Sequence, residues 1–430
     1  MAPEHKSKKE KTDKTIFVYL DLSGDTLQQP ALMGTLHINA GRSNEVISFE
    51  YDKRWIYSQD QCFAIDPDLM LFEGRQYAPP GKTLFGVFSD SCPDRWGRLL
   101  MNRKEAILAR KQGRKPRALA ESDYLLGVLD ETRMGALRFS YAEGGPFESG
   151  AQDLAVPPWA SLRSLEAASL AFEGSIGGDE DKWLDLLLAP GSSLGGARPK
   201  ASVQAPDGSL WIAKFPSRHD EWDSGAWEII VRDLAVLCGL RAPEAQLSSF
   251  TDAGGTYLAK RFDRDGSRRI HFASAMALLD KTDGAGSEGA SYLDIAAFIK
   301  SNGTSPKRDL LELWKRIVFY IAVSNTDDHL RNHGFLLTDQ GWELSPLYDV
   351  NPNIYGDALS LNINTTDSSI KFELALETAG FFCVDSQIAN DSVKHIIQTV
   401  ESHWRPLAVH YGLNQNAISQ MAPAFEMKFK

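Results

Sequence analysis

The sequence predicts an α+β fold with strands gathered toward its front and helices toward its back. Three observations carry this. Residues 15–51 run in β-branched and aromatic stretches broken by turn residues. Residues 200–264 repeat the strand pattern around one helical segment. From residue 273 onward, apolar residues recur mainly at three- and four-residue spacing.

Taken in order, "TIFVYLDL", "LMGTLHIN" and "VISFEYD" are predicted strands separated by "SGD" and "AGRSN", which makes a small antiparallel sheet. "PDRWGRLLMNRKEAILARK" opens with proline and aspartate, and sets Trp96, Leu99, Leu100, Ile107 and Leu108 on roughly one helical face. "MGALRFSY" at 134–141 reads as a returning strand, and the Gly/Pro-rich 142–158 as a linker. "GSSLGGARPKASVQAPDGSLWIAKFP" at 191–216 reads as a glycine-rich turn, a strand, a hairpin turn and a strand. "WEIIVRDLAVLCGL" (227–240) is helical, and "TYLAKRFDR" (256–264) is a further strand. Helices are predicted over 273–280, 291–300, 307–324 and 391–400. The expected division is a disordered charged tail (1–14), a sheet-rich domain with helices (15–145), a second sheet module (146–265) and a helical module (266–430).

Composition narrows the classes. A chain of 430 residues with 43% hydrophobic content can bury a sizeable core. A formal charge of −11 argues against the whole molecule coating nucleic acid. The basic run "ARKQGRKPR" at 109–117 is local and reads as a solvated helix end. Cys62, Cys92, Cys238 and Cys383 lie far apart without a CxxC pair, which suits a reducing cytoplasm and no disulfide or zinc framework. No run of ~18 apolar residues exists to span a membrane. "MAPEHKSKKEKTDK" lacks the apolar core of a signal peptide.

The chemistry gathers in "VSNTDDHLRNHGFLL" (323–337), a polar loop after the apolar helix "DLLELWKRIVFYIAV". Asp327 and Asn332 stand five apart, the spacing of a phosphoryl-transfer loop in which an Asp handles the acceptor hydroxyl and an Asn binds Mg²⁺. Asp349 in "LSPLYDVNP" follows where a second oxygen ligand would lie, a donor set that suits Mg²⁺ held together with phosphates. Solvated loop residues or helix caps are the plain alternative, and a trio of Asp327, His329 and His333 is a rival metal reading. Lys214, inside the apolar strand "LWIAKFP", needs water or a partner, and Glu228 on the next helix is available. "GSSLGGARPK" is either a phosphate-cradling loop or an ordinary glycine-rich hairpin turn. The order of these features matches that of phosphoryl-transfer kinases.

With those residues in hand, the chain resembles the HipA-type serine/threonine kinases, the toxins of bacterial toxin–antitoxin pairs. "SSLGGARPK", "IAKFP", "AKRFDR", "NTDDHLRNHGF" and "LSPLYDV" carry the likeness. The resemblance implies a bilobal protein-kinase-like fold with a small N-terminal β-rich subdomain and a mainly helical C-terminal lobe. It implies ATP and Mg²⁺ as cofactors, with Asp327 as base, Asn332 and Asp349 as metal ligands and Lys214, steadied by Glu228, as phosphate contact. Lys260–Phe262 matches the strand joining the lobes, where backbone groups meet adenine, and His329 and Tyr348 lie near the nucleotide. Ser193 matches a loop serine that is autophosphorylated to silence the enzyme, with Ser192 directly before it. A small helix-turn-helix antitoxin, DNA reached only through that antitoxin, and a translation component such as an aminoacyl-tRNA synthetase are the implied partner and substrate. Arg198-Pro199 and Asp328 depart from the family's usual loop residues. A silent kinase-like binding protein and a small-molecule phosphotransferase are the alternative readings.

Overall fold

The computed structural model describes residues 13–22, 29–41, 45–58, 63–148, 156–174, 184, 187, 196–284 and 288–427. Alternating side chains at the front fold as expected into an antiparallel sheet. β1 (Lys14–Leu20), β2 (Ala31–Ala40), β3 (Glu45–Tyr51), β4 (Gln76–Tyr77) and β5 (Leu137–Ser140) lie in the order β4-β3-β2-β1-β5. Ile16 and Val18 on β1, Leu36 on β2 and Phe49 on β3 turn inward and bury completely with Phe85 and Phe88. Helix α1 (Arg95–Lys111) is capped by Asp94, which accepts from the Gly97 N–H at 2.8 Å. Its apolar face differs from the expected one. Trp96, Leu100 and Ile107 are buried, but Leu99 and Leu108 are exposed because the helix rests against its neighbours along a narrower stripe. In the basic run, Arg114 forks onto Glu105 and Arg117 onto Asp123.

The second sheet runs β6-β7-β9-β8, from β6 (Lys200–Gln204), β7 (Leu210–Lys214), β8 (Ala245–Ser248) and β9 (Thr256–Lys260). Ala201, Val203, Trp211, Ala213 and Leu258 pack with α2 (Leu162–Gly174). Lys200, Lys214 and Tyr257 stand opposite one another across the strands. Helix α3 (Ser224–Leu237) begins before the predicted segment because Asp223 caps it through the Ala226 N–H.

The rear lobe is built around α5 (Pro306–Val323), whose residues from Ile317 to Val323 are all fully buried. α4 (Tyr292–Asn302) and α6 (Ser386–His410) pack against it. Three predicted spans are corrected. Residues 273–280 are not one helix: after a short hairpin of β10 (Arg264–Asp265) and β11 (Arg268–Arg269), β12 (Phe272–Ser274) pairs with β13 (Gly334–Thr338) before a single turn at Ala275–Leu278. β13 itself pairs with β14 (Gly341–Leu344). The strand over 256–264 stops at Lys260, because Arg261 and Asp263 turn to bond residues 132–135. The 391–400 helix extends over 386–410 and passes through Pro406. Among the described residues Cys92, Cys238 and Cys383 are free thiols, and no helix is long and apolar enough to cross a membrane.

Candidate active site

Helix α5 ends at Ser324, whose φ of 52° is left-handed, and the Ser324 hydroxyl fixes this turn by donating to the Ala424 carbonyl at 2.9 Å. The chain then enters the polar loop. Asp327 is exposed, and its carbonyl accepts from the Asn332 carboxamide at 3.1 Å, so the two residues close one turn. Asp328 beside it is fully buried. Its Oδ2 accepts from the Tyr292 hydroxyl at 2.6 Å and meets His333 Nε2 at 2.7 Å. Burial and the Asp328 carboxylate push the Tyr292 phenol well above its usual range, so it remains a donor. Asp328 and His333 therefore anchor the loop from beneath. That commitment takes His333 out of the alternative trio with Asp327 and His329.

After the β13–β14 hairpin the chain returns beside this loop and is stapled to it. The Tyr348 hydroxyl donates to the Arg331 carbonyl at 2.6 Å, the Asn351 N–H to Asn325 Oδ1 at 3.0 Å, and the Asn353 N–H to the Ser324 carbonyl at 3.0 Å. Asp349 lies between the staples with a left-handed φ of 57°, a conformation a non-glycine residue holds only when its surroundings impose it.

From the second sheet, Lys214 Nζ reaches Asp349 Oδ1 and Glu228 Oε1, each at 2.6 Å, and lies 5.9 Å from the Tyr257 ring. Burial alone would raise the Asp349 carboxyl, but the Lys214 ammonium, with Lys200 behind it, holds it down at about 2. Burial opposes charge on Lys214, yet Asp349 and Glu228 together keep it protonated well above its usual range. Burial also pushes Glu228 upward against the pull of Lys214. One amine thus serves two acids in a site carrying a net negative charge.

Two further predicted residues, Phe262 and Tyr348, meet nearby. Their ring centroids are 5.6 Å apart, and Phe272 adds an edge to Tyr348 at 6.3 Å. His329 is half-buried, and its Nδ1 has no hydrogen-bond partner among the described residues. Lys260 is not brought to this cluster: it sits opposite Trp211, three positions along β7 from Lys214, and its amine reaches Glu244 at 3.6 Å. Ser192 and Ser193 lie outside the described residues. Arg198 forks onto Asp220 and donates to the Phe215 carbonyl at 3.2 Å.

Lys200, Asp94, Asp328 and Tyr292 were not among the predicted site residues. Lys200 carries the same signal as Lys214, a lysine entering an apolar strand, and it finds Asp94 Nζ-to-Oδ2 at 2.9 Å with both side chains 2% exposed. Among the described residues no three His, Cys, Asp or Glu side chains converge to hold a metal. The hard oxygens of Asn332 and Asp349 fit a small cation only if phosphates and water complete its shell.

Residues 192–404 match the family model of the HipA-like C-terminal domain. The candidate kinase Y4mE of Sinorhizobium fredii is 29% identical over 182 residues, 37% of this chain and 41% of that protein. A candidate kinase of Haemophilus influenzae is 30% identical over 123 residues, 26% of this chain and 36% of that protein. The chain thus spans well under two thirds of either relative in these matches. HipA of Shewanella oneidensis MR-1, solved with HipB and its operator DNA, matches at a TM-score of 0.66 and 16% identity over 95% of both chains. At that identity the likeness speaks for the fold. Residues 192–404 thus carry a HipA-like C-terminal domain, and the chain shares the fold of HipA over nearly its full length.

Proposed function

We propose that the chain is a HipA-type kinase that transfers the terminal phosphoryl group of ATP to a protein serine or threonine hydroxyl. The observation that carries the reading is Lys214 held between Glu228 of α3 and Asp349 of the facing lobe, beside the Asp327–Asn332 turn. Such a site needs few covalent steps from the protein: positioning and charge do the chemistry. The exposed Asp327 carboxylate receives the acceptor hydroxyl's proton or orients it for attack. Asn332 and Asp349 hold Mg²⁺, which when bound neutralises charge on the phosphates. Lys214 meets those phosphates and Glu228 fixes its amine. Phe262, Tyr348 and His329 border the base, and Lys260 contributes through its backbone. The same reading makes Ser193 or Ser192 the point of autophosphorylation, where a dianion would repel ATP from the loop. It also gives the chain a small helix-turn-helix antitoxin as partner, DNA through that antitoxin alone, and a translation component such as an aminoacyl-tRNA synthetase as substrate.

The decisive test is Asp327→Asn incubated with Mg²⁺, radiolabelled ATP and a cell lysate. Asp327 is exposed and supports the turn through its carbonyl, so the variant should keep the wild-type unfolding midpoint and lose labelling by about 10²–10⁴-fold. Full labelling by the variant would refute the assignment. Mass spectrometry of the wild type should find phosphate on Ser193 or Ser192, and phosphate only elsewhere would remove the autoregulation.

A further inference from the structure

We propose that the segment Asp90–Asp94 is a strap by which the N-terminal domain ties the two lobes together, with Asp90 and Asp94 as positioning residues for nucleotide binding. The inference rests on the nucleotide-cleft reading above. At one end Asp90 is half-buried against the rear lobe. Its carboxylate accepts from the Ser274 N–H at 2.7 Å and from the Ser274 hydroxyl at 2.8 Å. Ser274 caps the Ala275–Leu278 turn and pairs with Gly334, while the Ala275 N–H bonds the His333 carbonyl at 2.7 Å, one residue from Asn332. At the other end Asp94 pairs at 2.9 Å with Lys200, the cross-strand neighbour of Lys214, and the Trp96 N–H reaches the Gly196 carbonyl at 3.4 Å.

The stretch between the ends is stiff. Ser91, Cys92 and Pro93 are buried, and Arg133 donates to the Ser91 carbonyl at 2.9 Å. The four Cα-to-Cα steps from Asp90 to Asp94 span at most about 14 Å when extended, so the lobes cannot part further here unless one end lets go. Letting go is costly, because one end leaves the buried Asp94 carboxylate without its cation and the other leaves the half-buried Asp90 carboxylate without both of its Ser274 donors. The covalent connection at 261–269 is gripped by the same domain: Arg261 donates to the Thr132 carbonyl at 2.7 Å, and Arg269 to the Asp130 carbonyl at 2.7 Å. The strap is a second tie beside that one, and it holds the lobe separation at which Lys214 meets Asp349.

The test uses the full chain as Asp90→Asn, Asp94→Asn and the double variant. Asparagine still caps α1, so Asp94→Asn removes the charge without removing the cap. Each single change should weaken MgATP binding in calorimetry by about tenfold, as the binding-competent fraction falls, and leave turnover at saturating ATP within about twofold. The double variant should be no weaker than the poorer single one, because a strap cut at one end is already cut. Hydrogen exchange should rise at both 200–204 and 275–278 in either single variant. Multiplicative losses in the double variant, or faster exchange only at the mutated end, would overturn the proposal. Ser274→Ala cuts the Asp90 end if Asp90→Asn fails to fold, and Lys200→Gln cuts the other end if Asp94→Asn does. A wild type that binds MgATP without transferring phosphate would sink the kinase reading and leave the strap standing. If the wild type does not bind MgATP, the cleft reading fails, and the exchange data still decide whether the two ends are coupled.

Discussion

At Lys214 a single ammonium is the counter-charge for two carboxylates, Glu228 and Asp349, each 2.6 Å away. Replacing it by Met leaves the two acids facing one another with no cation between them. We expect Lys214→Met to lose MgATP binding beyond calorimetric detection and to lower stability by about 1–3 kcal/mol in denaturant titration. In the same variant the Asp349 carboxyl should titrate well above its present value of about 2. Lys214 was legible because a lysine in an apolar strand demands a partner, and the next helix offered only a few. Lys200 poses the same demand but stands first in its strand, where solvent is the usual answer, and its partner comes from a different domain. Asp328 read as one more loop carboxylate. Nothing local reveals that Tyr292, from a separate helix, and His333 enclose it.

Among the elements, α3 depends on one close approach. A Cβ on Gly225 would lie 2.1 Å from the Gly255 carbonyl, and the Gly255 N–H donates to Asp223 at 2.9 Å. Gly225→Ala must therefore push the start of α3 from the β8–β9 turn and carry Glu228 away from Lys214. We expect a loss of about 1–3 kcal/mol in thermal or denaturant unfolding and a higher KM for ATP. Strands β1 to β3 were readable because alternation alone sets their inward face. The misread spans failed for identifiable reasons. "FASAMALL" has apolar residues at helical spacing, but its first three pair with β13. The 256–264 run has strand composition, but Arg261, Asp263 and Arg264 serve the N-terminal domain. Pro406 suggests a stop that the long helix does not obey.

Across the whole molecule, the N-terminal domain is joined to both lobes through contacts between residues far apart in the chain, and no periodicity announces such pairs. Two of its acids, the buried Asp66 and the half-buried Asp90, give the fold a pH signature. Burial pushes the carboxyls of Asp66 and Asp90 up to about 6. Between about pH 4 and 6 the folded chain therefore binds protons that the unfolded chain does not. These two groups favour folding as pH falls through that window and penalise it as pH rises, each by on the order of 1–3 kcal/mol. In thermal unfolding followed from pH 4 to 6.5, Asp66→Asn should lose its share of this slope, and an unchanged slope would contradict the assignment. The doubly paired amine has a further consequence at this scale. A divalent ion arriving alone must compete with an ammonium already seated on its carboxylate, whereas an ion escorted by a triphosphate offers that ammonium a new anion in exchange. Metal and nucleotide should thus enter as mutually reinforcing guests, each raising the other's affinity by the same factor.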